Sequence, residues 1–265
     1  MRIALLQFQA KPGDVAANLA AIDGAARMAK AAGAALVIAP ELAVTGYGAG
    51  DAITALAEPR EGAQVAALSE SARKNGIAIL AGFAERAGDT VYNSAVFADG
   101  HQTQVYRKAF LYGGYEKRLF TPAAPQACIF ELSGLKIGVL ICYDVEFPEN
   151  VRRLAQAGAD LVAVPTALPA SDHAAFISGS IIPVRAFENQ VHVAYANHCG
   201  ADENFAYAGL SRIAAPDGRT LAAADAALCL LTADVEPAAY QAARDANPYL
   251  DDLQQSASRT SAAAK

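Results

Sequence analysis

Charged side chains are scarce in this chain of 265 residues, making up 18% of it, where soluble domains usually carry about a quarter. Hydrophobic residues account for 54%, enough for a sizeable core, and the length fits one large domain or two small ones. The formal net charge is −6, and no basic patch with interleaved aromatic residues occurs. These features disfavour nucleic acids and anionic membrane surfaces as partners.

Long apolar runs are missing as well, because no stretch approaches the roughly 18 residues that a membrane span requires. The first residues, MRIALLQFQAKPGD, contain one arginine and a short apolar run that Gln7 and Gln9 interrupt. This pattern is typical of a β-strand and not of a signal peptide. We therefore expect a cytoplasmic protein.

Metal ligands and paired cysteines are also few. The chain has four histidines and four cysteines, and the cysteines form neither a CxxC pair nor a Cys/His spacing that suits zinc. A disulfide framework is not expected in a cytoplasmic chain of this length. The sequence thus predicts neither a metal nor another cofactor.

Strand-like and helix-like segments alternate along the chain. Residues 15–33 have one apolar face and follow a capping Asp14, and residues 175–190 have the spacing of another helix. About a dozen strands and four or five helices are predicted, with no linker or low-complexity break. We expect a single layered α/β domain over residues 1–253. The small and polar residues 254–265 are predicted to form a flexible C-terminal tail.

A cysteine stands where a buried strand gives way to a helix, in the segment KIGVLICYDVEFPE. The residues before Cys142 are β-formers, and those after it are polar and favour a turn. A cysteine with apolar neighbours is often a small core residue. At the end of a strand, however, a rigid scaffold presents side chains to a pocket. Cys142 is therefore also a candidate nucleophile.

Two other strand ends carry chemically capable side chains, Glu41 and Lys108. Each would be an ordinary surface residue if it stood alone, but together with Cys142 they supply a base, a cation and a nucleophile. Glu41 would take the thiol proton as sulfur attacks an amide carbonyl. Lys108 and the backbone N–H of Tyr143 would stabilise the resulting oxyanion. Glu41 would then protonate the departing amine, and water would release the acid.

Three segments in this order, APELAVTGY, YRKAFLYGGYEKRLFTPA and GVLICYDVEFPE, resemble the glutamate, lysine and cysteine motifs of the nitrilase superfamily, the carbon–nitrogen hydrolases. The later segments VPTA and RAFENQVHVAYAN are similar to the next two segments of that family. The match covers nearly the whole chain. The resemblance implies an α/β fold, a four-layer α-β-β-α sandwich, which usually forms dimers through one helical layer. We therefore expect a homodimer or a higher homo-oligomer that acts on a small-molecule amide.

The resemblance also assigns roles to individual residues. It implies that Cys142 is the nucleophile, Glu41 the general base and Lys108 the oxyanion stabiliser. Glu116 matches a second glutamate of the pocket, which orients the lysine or the substrate; the alternative is an exposed ion pair with Lys117. The other residues expected at the substrate or the oxyanion are Tyr143, Glu146, Tyr47, Thr166 and Ala167.

Within the family, the chain looks most like bacterial amidases that act on 5-aminopentanamide and on amino-acid amides, the R-stereoselective type. The amidases of the ω type act on acidic amides and often carry an arginine where this chain has Glu146. Arginine would hold a substrate carboxylate, whereas glutamate would attract an ammonium group. We therefore expect a small amide with an amine-bearing end. The alternative is that Glu146 caps backbone amides near Pro148.

Other functions remain open at this stage. Hydrolysis of an N-carbamoyl amine and hydrolysis of a nitrile would use the same three residues. A non-catalytic accessory module would share the sandwich, but it would have little physical reason to keep a thiol, a base and a cation together. Cys199 beside His198 is a weaker nucleophile candidate, because adjacent residues at a strand end point to opposite faces.

Overall fold

Two six-stranded sheets lie face to face in the computed structural model, which describes residues 1–263. The strands are β1 Arg2–Gln7, β2 Leu36–Ile38, β3 Ala78–Ala87, β4 Thr90–Ala98, β5 Thr103–Arg107, β6 Ile129–Leu132, β7 Leu135–Val139, β8 Leu161–Thr166, β9 His192–Asn197, β10 Arg212–Ala214, β11 Thr220–Ala223 and β12 Cys229–Asp234. The first sheet has the order β12-β1-β2-β3-β4-β5, and the second has the order β11-β10-β9-β8-β7-β6.

Helices cover the outer face of each sheet. They are α1 Val15–Ala31, α2 Ala52–Leu56, α3 Ala63–Asn75, α4 Gly113–Leu119, α5 Pro148–Gln156, α6 Ala174–Phe176, α7 Ile182–Asn189, α8 Gln241–Ala246 and α9 Tyr249–Ala263. Helices α1 and α3 pack against the first sheet and α7 against the second, with α5 beside it. The layers therefore run α-β-β-α, as the sequence predicted. No helix within the described residues is both long and apolar enough to cross a membrane.

The side chains of β1 show how the layers are held together. Ile3 and Leu5 lie in the core between the two sheets, whereas Ala4 and Leu6 lie in the core beneath α1 and α3. This alternation follows from the two-residue period of a strand. Because both faces of the sheet are covered, the strand is apolar throughout, and that explains the short apolar runs in the sequence.

The strand directions bring three strand ends to one side of the molecule. β1, β2 and β3 are parallel, and two antiparallel pairings then return β5 to the same direction. β7, β8 and β9 are parallel in the second sheet. A parallel bridge between Phe8 and His198 joins the carboxyl ends of β1 and β9. The carboxyl ends of both sheets thus meet at one edge.

Two predicted segments differ from the structure in detail. The helix predicted over residues 175–190 is present as one uninterrupted helical run, but a π-helical turn at Ile177–Ile181 joins α6 to α7 within it. Pro183, the second residue of α7, has no N–H to donate to the turn before it. Helix α9 includes residues 254–263 of the predicted flexible tail. The domain boundary at residue 253 and the flexibility of the tail remain predictions, and residues 264–265 of that tail lie outside the described residues.

Candidate active site

Glu41, Lys108 and Cys142 converge at the shared carboxyl edge of the two sheets. Glu41 lies just beyond β2, Lys108 directly follows β5, and Cys142 lies just beyond β7. The three residues are buried, with exposed fractions of 0%, 1% and 7%. Two of them therefore come from the first sheet and one from the second, so that the site spans the gap between the sheets.

The ammonium group of Lys108 is held by two carboxylates. Its Nζ lies 2.6 Å from Oε1 of Glu41 and 2.8 Å from each carboxylate oxygen of Glu116. Burial alone would lower the pKa of Lys108, but the charges of the two carboxylates outweigh it and raise the pKa well above its usual value. The lysine is therefore a fixed, buried positive charge.

Glu41 has one occupied and one free oxygen. Oε1 accepts hydrogen bonds from Lys108 and, at 2.7 Å, from the side-chain amide of Asn93. Among the described residues, Oε2 is buried and has no hydrogen-bond partner. Burial raises the pKa of Glu41 to about 7, against the opposing charge of Lys108. A carboxylate with a free oxygen and a pKa near neutrality is suited to proton transfer.

Cys142 begins a 3₁₀ turn, Cys142–Glu146, in a backbone conformation that is uncommon for a residue with a side chain. Its φ is +46°, in the left-handed region. Burial raises the pKa of its thiol well above the usual value, and the charge of Glu41 adds to this effect. The thiol is thus protonated at neutral pH and needs a base. The charge of Lys108 and the backbone of Ala167, one of the residues predicted at the substrate or the oxyanion, oppose this rise in the pKa.

Glu116 lies inside the site and not on the surface. It is fully buried and binds the ammonium of Lys108. It also accepts hydrogen bonds from the hydroxyl of Tyr47 at 2.9 Å and the backbone N–H of Tyr112 at 3.0 Å. The alternative of an exposed pair with Lys117 is therefore wrong. Burial and the neighbouring carboxylate raise the pKa of Tyr47, so that its hydroxyl stays protonated as a donor.

Tyr143 and Thr166 flank the nucleophile. Tyr143 is the next residue after Cys142, and its ring centroid lies 5.2 Å from that of Tyr112 and 4.9 Å from that of Phe147. Thr166 ends β8, is fully buried, and donates its hydroxyl to the carbonyl of Val164 at 3.1 Å. Both lie where the sequence predicted, and their contacts with substrate remain predictions.

Glu146 ends the 3₁₀ turn and is partly buried. Burial raises its pKa, and the nearby charges of Lys108 and Arg185 oppose that shift. Helix α5 begins without a side-chain cap, so the capping alternative for Glu146 is wrong. Arg185 instead donates to the backbone carbonyls of Val145 and Glu146, at 3.0 and 2.6 Å. The position of the turn is thus fixed, while the Glu146 carboxylate accepts no hydrogen bond within residues 1–263.

The sequence analysis missed two residues that hold Glu41. Asn93 lies on β4, and the only signal that could have identified it is a polar side chain in a buried strand. His198 has Nε2 2.7 Å from the carbonyl of Glu41 and Nδ1 3.3 Å from that of Phe8. Burial lowers the pKa of His198 to about 4, so the ring is neutral. The shorter contact places its proton on Nε2, where it donates to the backbone of the glutamate.

A glycine on β3 allows the Glu41 segment to lie against the sheet. A Cβ atom on Gly82 would be 2.2 Å from the backbone nitrogen of Leu42 and 2.7 Å from the Cα of Glu41. The two segments also share hydrogen bonds, since Gly82 N–H donates to Pro40 and Val44 N–H donates to Gly82. Any side chain at this position would push Glu41 away.

Two further expectations concern the second candidate thiol, Cys199, and metal binding. The pKa of Cys199 is raised by burial and by Cys229, and its backbone N–H donates to Phe8. In the described part of the chain, nothing links its sulfur to the cluster around Lys108. Within residues 1–263, no group of three or more histidine, cysteine, aspartate or glutamate side chains is arranged to hold a metal ion.

Known proteins are similar to this chain over most of its length. An amidase from Nesterenkonia sp. AN1 superimposes with a TM-score of 0.87 at 36% identity, covering 98% of this chain and 99% of that one. A glutamate-to-glutamine mutant of that amidase has been solved after Michael addition of acrylamide at its active-site cysteine. A protein of Pseudomonas protegens described as a hydrolase in the pqqF 5′ region is 41% identical, over 95% of this chain and 88% of its own.

Two further relatives carry named activities. A 2-oxoglutaramate amidase from Bacillus subtilis is 34% identical over 82% of this chain and 84% of its own length. An (R)-stereoselective amidase from Pseudomonas sp is 35% identical over 83% and 80%. The profile of the carbon–nitrogen hydrolase family matches residues 2–245. The chain is therefore a member of the carbon–nitrogen hydrolases, the nitrilase superfamily, and an enzyme that hydrolyses carbon–nitrogen bonds other than peptide bonds.

Proposed function

We propose that this enzyme is an amidase that converts the terminal carboxamide of a small, amine-bearing aliphatic amide into a carboxylic acid and ammonia, through a thioester at Cys142. One observation carries the proposal. The free Oε2 of Glu41 belongs to a buried carboxylate with a pKa near neutrality, in a cluster with a protonated thiol and a fixed cation. This is the state in which a base can take a thiol proton as the sulfur attacks.

Acylation uses four groups of the protein. Oε2 of Glu41 takes the proton from the sulfur of Cys142 while the sulfur bonds to the amide carbon, and the carbonyl electrons move onto oxygen. Nζ of Lys108 and the backbone N–H of Tyr143 stabilise this oxyanion, and one such donor is worth roughly 10²–10³ in rate. Glu41 then passes its proton to the amide nitrogen, the carbon–nitrogen bond breaks, and ammonia leaves.

Deacylation reverses the roles with water in place of ammonia. Glu41 takes a proton from water as its oxygen attacks the thioester carbon, and the same donors hold the second oxyanion. When the carbon–sulfur bond breaks, the proton returns to Cys142 and the acid departs. Glu116 holds Lys108 throughout, because both of its oxygens face the ammonium.

The amine-bearing substrate is inferred from the surroundings of Glu146. This carboxylate is partly buried and free of hydrogen-bond partners in the described chain. The residue after it in the chain is aromatic, and this ring of Phe147 stacks on Phe110 at 4.0 Å and meets Tyr143 at 4.9 Å. A carboxylate next to aromatic faces favours an ammonium group and disfavours a carboxylate. The N-carbamoyl amine remains the second candidate, and a nitrile the third.

Two further properties belong to this proposal. We place the enzyme in the cytoplasm, and we propose that it forms a homodimer through the outer layer that contains α7. Exposed apolar side chains support the second point: Phe176 is 60% exposed and Val184 is 49% exposed.

The test is ammonia release from six substrates: 5-aminopentanamide, an amino-acid amide, a plain aliphatic amide, an acidic amide, an N-carbamoyl amine and a nitrile. Wild type, Cys142→Ala and Glu146→Arg are compared at equal concentration. We expect release from the first two substrates, loss of at least about 10³-fold in Cys142→Ala, and a shift of preference towards the acidic amide in Glu146→Arg.

Each of the other possible results would remove a specific part of the proposed function. Activity retained in Cys142→Ala would remove the thioester mechanism. Release from the N-carbamoyl amine alone would replace the amidase by the second candidate. An unchanged substrate ranking in Glu146→Arg would remove the role of Glu146 in selecting the amine-bearing end and leave the amidase standing.

A further inference from the structure

Asp144 lies two residues after the nucleophile, is fully buried, and accepts four hydrogen bonds. Oδ1 accepts the backbone N–H groups of Phe110 at 2.8 Å and Ala109 at 3.2 Å. Oδ2 accepts the hydroxyl of Tyr106 at 2.9 Å and the backbone N–H of Ile141 at 3.1 Å. Each oxygen thus has two donors, which is the full capacity of a carboxylate in this geometry.

These donors stand on both sides of the catalytic gap. Tyr106, Ala109 and Phe110 bracket Lys108 at the end of the first sheet, whereas Ile141 precedes Cys142 in the second sheet. Among the described strands, the two sheets share no ladder at this place, because β5 is the last strand of the first sheet and pairs only with β4. The carboxylate of Asp144 therefore connects the segment that carries the cation to the turn that carries the thiol.

Asp144 also closes that turn. Its own backbone N–H donates to the carbonyl of Ile141 at 3.0 Å, while Oδ2 accepts the N–H of the same residue. Asn150 adds a bond from its side-chain amide to the carbonyl of Asp144 at 2.8 Å. The residue inside this frame is Cys142, with its left-handed φ of +46°. Such a conformation persists only where the surroundings fix it.

We propose that Asp144 is a positioning residue that sets the distance between the thiol of Cys142 and the ammonium of Lys108, so that the rate of acylation depends on its carboxylate. The proposal rests on the roles of these two residues in the proposed function. Burial raises the pKa of Asp144 to about 6, so the carboxylate is ionised at neutral pH, as its four donors require. The facing charge is that of Lys108.

The test compares Asp144→Asn, Tyr106→Phe and the double variant with the control Asp160→Asn. Asp160 also accepts a backbone N–H, that of Lys136 at 2.9 Å, but it precedes β8 at the amino ends of β7 and β8, opposite the carboxyl edge that carries the site. In Asp144→Asn an amide NH₂ must face two of the four donors, so part of the hydrogen bonding that joins the two segments is lost. We expect kcat to fall about 10²-fold with KM within about threefold of wild type, as for a misplaced reacting group.

A second readout does not need turnover. We expect alkylation of Cys142 by iodoacetamide, followed by mass spectrometry, to slow about tenfold in Asp144→Asn and to be unchanged in Asp160→Asn. Failure of the proposed function would leave no turnover in any variant while this difference in alkylation remained. The two failures are therefore distinguishable.

Tyr106→Phe removes one donor and keeps the carboxylate, so it tests the positioning role of Asp144 if Asp144→Asn does not fold. We expect kcat to fall about threefold to tenfold at constant KM, and the loss to be absent on top of Asp144→Asn, because the two residues act through one bond. A folded Asp144→Asn with kcat and alkylation rate near those of wild type would overturn the proposal. If Asp144→Asn does not fold, an unchanged kcat in Tyr106→Phe would overturn the proposal instead.

Discussion

Two glutamates share one lysine in this site, and their surroundings give them different tasks. Glu116 has both oxygens occupied, by Lys108, Tyr47 and Tyr112. Glu41 has Oε1 occupied and Oε2 free. A carboxylate saturated with donors holds its charge, whereas a carboxylate with a free oxygen can gain and lose a proton. The difference assigns the fixed role to Glu116 and the mobile proton to Glu41.

The pH dependence of the reaction follows from Glu41. Its pKa is raised to about 7, and the carboxylate form is the one that accepts the thiol proton. Lowering the pH through 7 protonates it, so kcat/KM should be constant above about pH 8 and fall about tenfold per pH unit well below 7. Glu41→Gln should lower kcat about 10²–10⁴-fold and remove this inflection.

The control for that prediction is Glu131→Gln on β6, an exposed glutamate far from the cluster. It should keep both the rate and the pH profile of wild type. Full activity in Glu41→Gln, or an inflection near pH 7 that persists in it, would move the base to another group, with Glu116 next in line.

Among the structural elements, β3 decides where Glu41 stands. Replacing Gly82 by alanine would place a Cβ atom 2.2 Å from the backbone nitrogen of Leu42. Because both partners are backbone, neither can rotate away, and the segment with Glu41 must shift. We expect kcat to fall at least about 10²-fold and the free energy of unfolding to fall by about 1–3 kcal/mol. Steady-state kinetics and urea unfolding measure the two effects.

Gly24→Ala is the matched control, since Gly24 lies inside α1 and a Cβ there meets only an ordinary contact of 3.7 Å with Arg27. Alanine in a helix interior should stabilise the protein by about 0.5–1 kcal/mol and leave kcat unchanged. If Gly82→Ala had the kinetics of wild type, the close approach of β3 would not position the base.

The elements that the sequence predicted well are those with local signals. Asp14 caps α1 by accepting the N–H of Ala17 at 3.0 Å, and Gly76 ends α3 in the left-handed conformation. A cap or a terminating glycine acts within a few residues, so the pattern alone identifies it. The helix over residues 175–190 was predicted from its spacing, but the π-helical turn within it was not, and only the position of Pro183 hinted at that turn.

The residues of the candidate site likewise divide into those that the sequence predicted and those that it missed. The sequence placed Glu41, Lys108 and Cys142 at strand ends, and these strand ends are adjacent in the structure. Asn93 and His198 were missed because their task depends on which strand lies beside which. Strand order within a sheet and the facing of two sheets are long-range properties that no local pattern records.

At the scale of the whole molecule, the two sheets have equivalent roles but unequal outer surfaces. Each contributes three central parallel strands whose carboxyl ends meet at the site. The helical layer on the second sheet, however, exposes more apolar side chains than that on the first. The large exposed ones are Phe176, Val184 and Phe187 with Tyr249 and Leu253 on the second sheet, and Met28 on the first. Contiguous exposed apolar side chains are typical of an interface.

The proposed dimer makes a prediction about this surface. In size-exclusion chromatography with light scattering, the measured mass of wild type should be twice the 27.4 kDa of one chain. Val184 on α7 is 49% exposed, so glutamate is tolerated in the monomer but would be buried and unpaired in the dimer. We expect Val184→Glu to weaken dimerisation by at least about 10²-fold in Kd and to give monomers at micromolar concentration.

Met28→Glu is the matched control, because Met28 on α1 is 57% exposed in the opposite helical layer. It should leave the dimer intact. A monomeric wild type would reject the dimer, and a dimer broken by Met28→Glu but not by Val184→Glu would move the interface to the layer of α1 and α3. Because Arg185 on α7 also holds the carbonyls of Val145 and Glu146, the kcat of monomeric Val184→Glu then measures how far the active-site turn depends on this interface.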